Sequence, residues 1–582
     1  LTQLRRLEPY LRRHAASVAL GAAGLVVAAV FGVLVPWLIR DAIDGLSAPD
    51  GRARLTREVS LILLLALGHG VLRWLSRRAL LVAGRRVEQA LRRDLFAHVV
   101  RLPLDFFSRV STGDVMSRMT NDLAAVWLLL GPGVLMLMGT VVSWFLAVGF
   151  MFRISPSLTL AALAAAPLVV LASREYGRRF HVQHLASQQS LAALNETLHE
   201  DVSGIRLVKA YGLERAMGER FDAAASGYRD RSLDLARTSA AFHALIAFVS
   251  GLAVALVLLY AGWQVVRGEL TTGGFVAFNA YLAMLSFPTM ALGWVINLFQ
   301  RGAAAMGRIG EFLDLEPEST ALLQPAADDD GVPLIEARHL SFAFAEGGRG
   351  EVLRDVSFEI RRGEVVGLVG RTGSGKSALL SLLLRMQPVP PGTVFWRGRD
   401  VDSVPLPELR RAVALVGQDP FLYSDSILGN VCLGMPEADR AAAATALARA
   451  RMAEEIAELP DGVDTVIGER GISLSGGQKQ RVTIARALCT GAELLLLDDA
   501  LSAVDADTEQ AIFRELMDAR AGRTILFSTH RLASLSRCDR ILVLDGGRIV
   551  EAGRHEELLA LGGVYRALHS RGSLEREIEA AT

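Results

Sequence analysis

The stretch Gly370-Arg-Thr-Gly-Ser-Gly-Lys-Ser377 decides how the C-terminal half of the chain is read. It fits the pattern G-x-x-x-x-G-K-[ST], follows the apolar run Glu364 to Val369, and precedes an apolar helical segment from Ala378. A phosphate-binding loop requires this strand, loop and helix context. Gly370, Arg371, Thr372, Gly373, Ser374 and Gly375 form a glycine-rich loop whose backbone N–H groups wrap phosphates at a helix N-terminus. Lys376 then reaches the terminal phosphates and Ser377 ligates Mg²⁺. Only Lys209, Lys376 and Lys479 among the 62 basic residues are lysines. An arginine-biased chain that keeps a compact, rotatable ammonium at this position meets a chemical requirement there.

Around this loop the pattern is that of an α/β domain over 334–582. Short apolar runs, Val365 to Val369, Val413 to Val416, Leu494 to Leu497, Thr524 to Ser528 and Ile541 to Leu544, alternate with helical segments. The run at Leu494 ends in Asp498, which reads as the carboxylate of the Mg²⁺ shell, with Asp499 next. A polar linker over 309–333, with Pro317, Pro325 and the acidic run Asp328 to Asp330, separates this domain from what precedes it.

The N-terminal half has the opposite character. Of the 582 residues, 51% are hydrophobic and 21% charged, richer in apolar side chains than an ordinary soluble protein and incompatible with disorder over most of the chain. Basic and acidic residues balance at 62 each, which argues against a nucleic-acid partner. Cys432, Cys489 and Cys538 have no metal or redox spacing and imply no disulfide framework. Residues 1–14 form an arginine-rich amphipathic elbow, and the apolar stretch behind it is too long for a signal-peptide core. Within 15–308, apolar runs predict six spans at about 15–39, 59–83, 130–152, 154–173, 240–266 and 275–299. The long connections at about 84–124 and 174–238 carry most of the loop arginines and keep helical spacing. They read as helix extensions on the cytoplasmic side, which places both termini and the α/β domain in the cytoplasm.

Leu474-Ser-Gly-Gly-Gln478, just before an apparent helix and the Leu494 strand, resembles the signature of ATP-binding cassette (ABC) transporters. Phe344 stands where the family stacks an aromatic on adenine. Gln418 follows a strand as the family's Mg²⁺ and membrane-interface glutamine does. Ser502-Ala-Val-Asp505 resembles the dimer-contacting loop, and His530 the switch histidine. In the membrane half, Asp105-Phe-Phe with Thr112-Gly-Asp and Ser117 to Asp122 resembles the first coupling region of exporters, and Gly204 to Tyr211 the second. The resemblance covers nearly the whole chain. It implies an all-α six-helix transmembrane domain followed by a P-loop cassette, a type IV exporter half-transporter that uses ATP and Mg²⁺ and works as a dimer. ATP is sandwiched in this family between one chain's phosphate loop and the other chain's signature, Leu474, Ser475, Gly476, Gly477 and Gln478 here, with Asp505 at the contact.

Two departures stand out. The family's general base at position 499 is Glu, and an Asp carboxylate sits about 1 Å or more back from the attacking water. With the other elements intact, this chain resembles the degenerate-site subunits of heterodimeric exporters, which hold ATP and turn it over poorly while lending a signature to the partner. Val466 stands where many exporters have Glu, which alters an expected contact to the membrane loops. An active homodimeric exporter and an ABC-type gate are the alternatives, and an importer fits less well because both halves share one chain. The cargo class is amphiphilic, drugs, peptides or lipids, crossing the inner membrane of a prokaryote. Candidate pathway residues are His69, Arg73 and Arg77 in the second span and Asn279, Asn297 and Gln300 in the sixth. Met284, Met290, Trp294 and Phe299 are candidates for adaptable apolar contact or for packing. Arg73 and Arg77 either attract an anionic group or snorkel to the interface.

Overall fold

The computed structural model describes residues 2–46, 51–164, 166–318, 331–344, 350–435, 437–468, 474–518 and 522–571; the side chains of 166–170, 172–174, 250, 286–292, 506 and 533 lie outside the description. Much of the expected linker, 319–330, therefore falls outside it. The chain divides into two compact units, Leu1–His98 with Gly113–Asp314, and Val99–Thr112 with Leu315–Thr582.

The first unit is helical throughout its described length. Long helices run over Ala15–Gly45, Gly51–Val99, Val134–Ile154, Ala166–Ser203, Glu214–Val266 and Thr272–Leu313. Four helical stretches among the described residues, including Thr112–Ile154, are long and apolar enough to cross a membrane. In the Gly51–Val99 helix only 6% of the most apolar window is buried within the protein. A surface of that kind needs lipid rather than water against it. The apolar runs expected as the third and fourth spans part at Ser155, whose backbone is extended (φ −157°, ψ 112°). Pro156 follows, and a residue before proline is pushed out of the helical region. Ser155 Oγ accepts from the Leu158 amide at 3.3 Å and caps the next helix, Pro156–Leu163, which lies apart from Ala166–Ser203.

Gly268 (φ 76°) turns the chain between the last two long helices. Thr271 caps the second of them, its Oγ1 accepting from Gly274 N at 2.9 Å. Tyr281 is fully buried in the apolar core beside it. Its hydroxyl donates to the Val33 carbonyl at 2.7 Å, and its ring stacks on Phe150. The Thr112–Ile154 stretch carries two π segments, Arg118–Asp122 and Leu129–Gly133. Pro132 sits in the second, where the widened turn accommodates a residue that cannot donate to the ladder. The first presents Asp122, whose buried carboxylate takes both arms of the Arg308 guanidinium, Nε at 2.9 Å.

The second unit contains two sheets. Strands β1 (Ile335–Phe342), β2 (Leu353–Ile360), β4 (Val394–Trp396) and β5 (Arg399–Asp400) form an antiparallel sheet in the order β2-β1-β4-β5. Strands β3 (Val365–Val369), β6 (Val413–Val416), β7 (Leu494–Asp498), β8 (Thr524–Ser528), β9 (Arg540–Asp545) and β10 (Arg548–Gly553) form the other, ordered β10-β9-β3-β8-β7-β6. All its pairings are parallel except β10 with β9. Every residue of β3 and β8 is buried, as expected of a parallel sheet covered on both faces. The five apolar runs read from sequence are the five parallel strands, and the antiparallel strands are additional to them. The Lys376–Leu383 helix sends Leu379, Leu380, Leu382 and Leu383 into the core shared by the two sheets. The short Leu104–Arg109 helix belongs to this unit, where the Arg101 carbonyl accepts from Glu318 N at 2.8 Å.

Asp122→Ala leaves the Arg308 guanidinium without its carboxylate. We expect a loss of about 1–3 kcal/mol in the stability of the detergent-solubilised chain, with a smaller further loss when Arg308→Ala is added. Additive losses in thermal melts of the two single variants and the double variant would contradict a coupled pair.

Candidate functional site

Parallel strands that share a sheet deliver their C-terminal ends to one edge, the edge at which open α/β sheets bind ligands. Here β3 leads into the glycine-rich loop, β6 into Gln418, β7 into Asp498 and Asp499, and β8 into His530. These ends meet in a cavity of about 890 Å³. Thr372, Gly373, Gly375, Lys376 and Ser377 line it, together with Gln418, Asp498, Asp499, His530 and Phe344.

The loop requires glycine for two separate reasons. A Cβ at Gly370 would lie 2.1 Å from the Leu544 carbonyl oxygen, so that position rejects any side chain. Gly373 and Gly375 have φ of 79° and 107°, the region that glycine enters without strain. Lys376 is 7% exposed, and its Nζ donates to the Gly370 and Arg371 carbonyls at 2.9 and 3.2 Å. Burial pushes the Lys376 pKa down, and the Asp498 and Asp499 carboxylates pull it partly back up.

These residues fit a nucleotide with its magnesium. Ser374 Oγ is buried and without a hydrogen-bond partner among the described residues, and open space lies over Gly373. Among the described residues no cluster of three or more His, Cys, Asp or Glu side chains could hold a metal alone. The Ser377 hydroxyl, Gln418 amide and Asp498 carboxylate all line the cavity and are the oxygen groups that could hold Mg²⁺ beside phosphate. Phe344 lines the cavity and is 48% exposed, its ring T-shaped against Phe342 at 5.0 Å.

Asp499 has φ 47°, a left-handed conformation that Asp tolerates better than most residues. Its amide donates to the Ser528 carbonyl at 2.9 Å, and its own carbonyl accepts from Ser502 N at 3.2 Å. The backbone behind this carboxylate is thus fixed to the neighbouring strand.

The signature residues lie outside this cavity. Ser475 caps the Gly476–Cys489 helix, its Oγ accepting from Gln478 N at 3.2 Å while Gln478 Oε1 accepts from Ser475 N at 2.8 Å. Ser475 and Gly476 are exposed and Leu474 is buried, so the helix N-terminus faces outward. Gln478 Nε2 donates to Glu455 at 2.7 Å, which holds the cap in place. Asp505 is also outside the cavity. It caps the Ala506–Asp518 helix by accepting from Thr508 N at 2.9 Å, and that bond holds its carboxyl below the usual range.

Several residues emerge only from the fold. Glu351, Val352, Arg354, Gly546 and Gly547 complete the cavity wall. The Gly546-Gly547 hairpin turn was a readable signal, whereas Arg354 on β2 and Glu351 and Val352 just before it carried none. Buried Gln480 donates to Ser502 Oγ at 3.1 Å and to the Gln418 carbonyl at 3.5 Å, and accepts from Ala503 N at 2.9 Å. It therefore joins the signature helix to both the Gln418 and the Ser502 loops. Arg531, next to His530, donates to the Val504 carbonyl and to buried Glu509, both at 2.7 Å.

In the helical unit a second cavity, of about 820 Å³, is lined by His69, Arg73, Arg77, Met284 and Trp294, as the sequence suggested, and also by Trp127, Thr140 and Ser143. Asn279, Asn297, Phe299 and Gln300 do not line it, and the Met290 side chain lies outside the described residues.

Comparison with known proteins agrees with this architecture. Residues 16–289 match the ABC transporter transmembrane region and residues 353–502 the ABC transporter domain. A probable multidrug resistance ABC transporter ATP-binding/permease protein, YheI of Bacillus subtilis, is 36% identical over 94% of each chain. The multidrug resistance-like ATP-binding protein MdlA of Escherichia coli is 33% identical, covering 98% of this chain and 96% of its own. An ATP-dependent lipid A-core flippase of Syntrophus aciditrophicus is 32% identical, covering 97% of this chain and 94% of its own. The structure of a bacterial Atm1-family ABC exporter with ATP bound superposes with a TM-score of 0.80 at 27% identity, over 96% of this chain and 99% of that one. With one helical membrane domain and one cassette in a single chain, the protein belongs to the ABC exporter family as a half-transporter.

Proposed function

We propose that the chain is the degenerate-site subunit of a heterodimeric, ATP-driven exporter that moves amphiphilic compounds out of the cytoplasm or the inner leaflet of a bacterial inner membrane. The observation that carries this reading is Asp499 at the end of β7, in the same cavity as Lys376, Ser377, Gln418, Asp498 and His530. A general base must come within hydrogen-bond reach of the water it activates. The Asp499 amide is tied to Ser528 and its carbonyl to Ser502, so the backbone does not advance to compensate for the missing methylene. Binding through the phosphate loop does not depend on that reach.

The signature supports the second half of the proposal. Ser475 and the Gly476 and Gly477 amides open a 14-residue helix whose positive end faces away from the chain's own cavity. Directed at a partner's γ-phosphate, they complete the partner's site and leave this chain's site to be completed by the partner's signature. Cassette closure and release then form a two-state element biased by nucleotide. The multidrug and lipid A-core names of relatives support an amphiphilic cargo. The arginine-rich segments at 84–124 and 174–238 support a cytoplasmic cassette and cytoplasmic termini.

The chain purified alone in lipid should turn over ATP well below about 1 per second, the low end of ordinary enzyme rates, and Asp499→Glu should raise that rate. Brisk wild-type turnover in a steady-state phosphate-release assay would instead identify an active homodimer. Gly375→Ala, which puts a side chain 2.8 Å from Leu353 Cδ2 at φ 107°, should abolish binding of a fluorescent ATP analogue. Ser475→Arg should leave that binding intact and suppress hydrolysis by the reconstituted pair. If Ser475→Arg abolished analogue binding to the isolated chain, the trans assignment of the signature would be lost.

A further inference from the structure

The cavity in the helical unit has a one-sided chemistry. His69, Arg73 and Arg77 follow one another at intervals of four residues on the Gly51–Val99 helix, and all three line the chamber. At 1.5 Å rise and 100° per residue they form a basic ladder about 12 Å tall that turns through about 80°. Among the described residues no Asp or Glu lines the cavity, and neither Arg73 nor Arg77 has a hydrogen-bond or ion-pair partner. Arg78, one position on, instead lies over the Trp74 ring at 5.6 Å.

The other polar groups are also placed to donate. Thr140 and Ser143 bring hydroxyls, and the Trp127 indole Nε1 is buried without a hydrogen-bond partner among the described residues, its ring carrying Arg85 at 3.5 Å. His69 Nδ1 donates to the Ala28 carbonyl at 2.7 Å, which fixes the ring against the facing helix. The rest of the described wall is apolar and includes Leu25, Val35, Leu135 and Met136. Unpaired cations at membrane depth are costly, and they are ordinarily kept where a counter-ion visits. Snorkelling explains one long side chain near an interface, whereas here three successive turns address one chamber.

We infer that this chamber binds the oxyanion head group of an acidic amphiphile, with Arg73 and Arg77 on the acid and the hydrocarbon against the apolar wall. The inference rests on the proposed export of amphiphiles and narrows their class: the cargo is acidic rather than cationic. Guanidinium recognises phosphate and carboxylate alike through paired N–H donors, and both are admitted.

The test is equilibrium binding to the full chain in neutral phosphatidylcholine nanodiscs without nucleotide, corrected against empty discs. The probes are dodecyl phosphate, dodecanoate, dodecyltrimethylammonium and inorganic phosphate. At least one dodecyl anion should bind about tenfold or more tightly than the dodecyl cation, and inorganic phosphate should bind more weakly than dodecyl phosphate. Whichever anion binds more tightly identifies the preferred acid. Arg73→Gln and Arg77→Gln should each weaken anion binding about tenfold, the scale of one lost charge-assisted hydrogen bond, while Arg73→Lys and Arg77→Lys retain most of it. The Lys variants separate lost charge from lost fold. Equal or tighter binding of the cation, anion binding unchanged in the Gln variants, or inorganic phosphate binding as tightly as dodecyl phosphate would each overturn the inference. Because no nucleotide is present, brisk ATP turnover would remove the degenerate-subunit reading alone, and loss of anion preference would remove this inference alone.

Discussion

The register of three parallel strands is the constraint on which the cassette depends. β3 pairs with β8 so that Leu368 faces Ser528, and β8 pairs with β7 so that Ser528 faces Asp498. That register brings Lys376, reached by the loop after β3, to the same edge as Asp498, Asp499 and His530. A slip of one residue would turn each strand's side chains to the opposite face and dissolve the cavity. The register is well protected, since every residue of β3 and β8 is buried between covering helices and has no equivalent alternative environment.

Much of this was legible because the phosphate loop, the signature and the carboxylate pair are local patterns with local consequences. A glycine needed at φ 107°, or one packed against a carbonyl, leaves its mark in the sequence whatever the rest of the fold does. The antiparallel strands β1 and β2 were harder to read. Their burial alternates only loosely, and β-bulges at Ala337/Leu340 and Leu340/Phe342 break the period-two signal. Arg354, on β2, was missed for that reason, while Glu351, just before the strand, carries no periodic signal at all. Gln480 was missed for another: its three hydrogen bonds reach loops 22 to 62 residues away, and nothing in its own neighbourhood announces them.

The membrane half shows the same division. Apolar length predicted helices, and helices are there. Which polar residues line the cavity was legible on the Gly51–Val99 helix, where His69, Arg73 and Arg77 keep a four-residue spacing. It was not legible on Thr272–Leu313, where Asn279, Asn297 and Gln300 lie away from the chamber. Facing is set by packing against neighbouring helices, and in the Thr112–Ile154 stretch two π segments each shift the face by an extra residue. A periodicity argument assumes an uninterrupted 3.6-residue repeat and loses its phase at each of them.

The scarcity of lysine has a consequence outside transport itself. Amine-directed modification, whether enzymatic acetylation or a chemical label, finds only three side chains in 582 residues. Lys376 is buried with its ammonium bonded to two carbonyls, and Lys209 stands exposed in an ion pair with Glu214. The arginines that make up the rest of the 62 basic side chains neither titrate in the physiological range nor accept an acetyl group. The positive charge of the protein is therefore almost wholly insulated from the acetylation state of the cell.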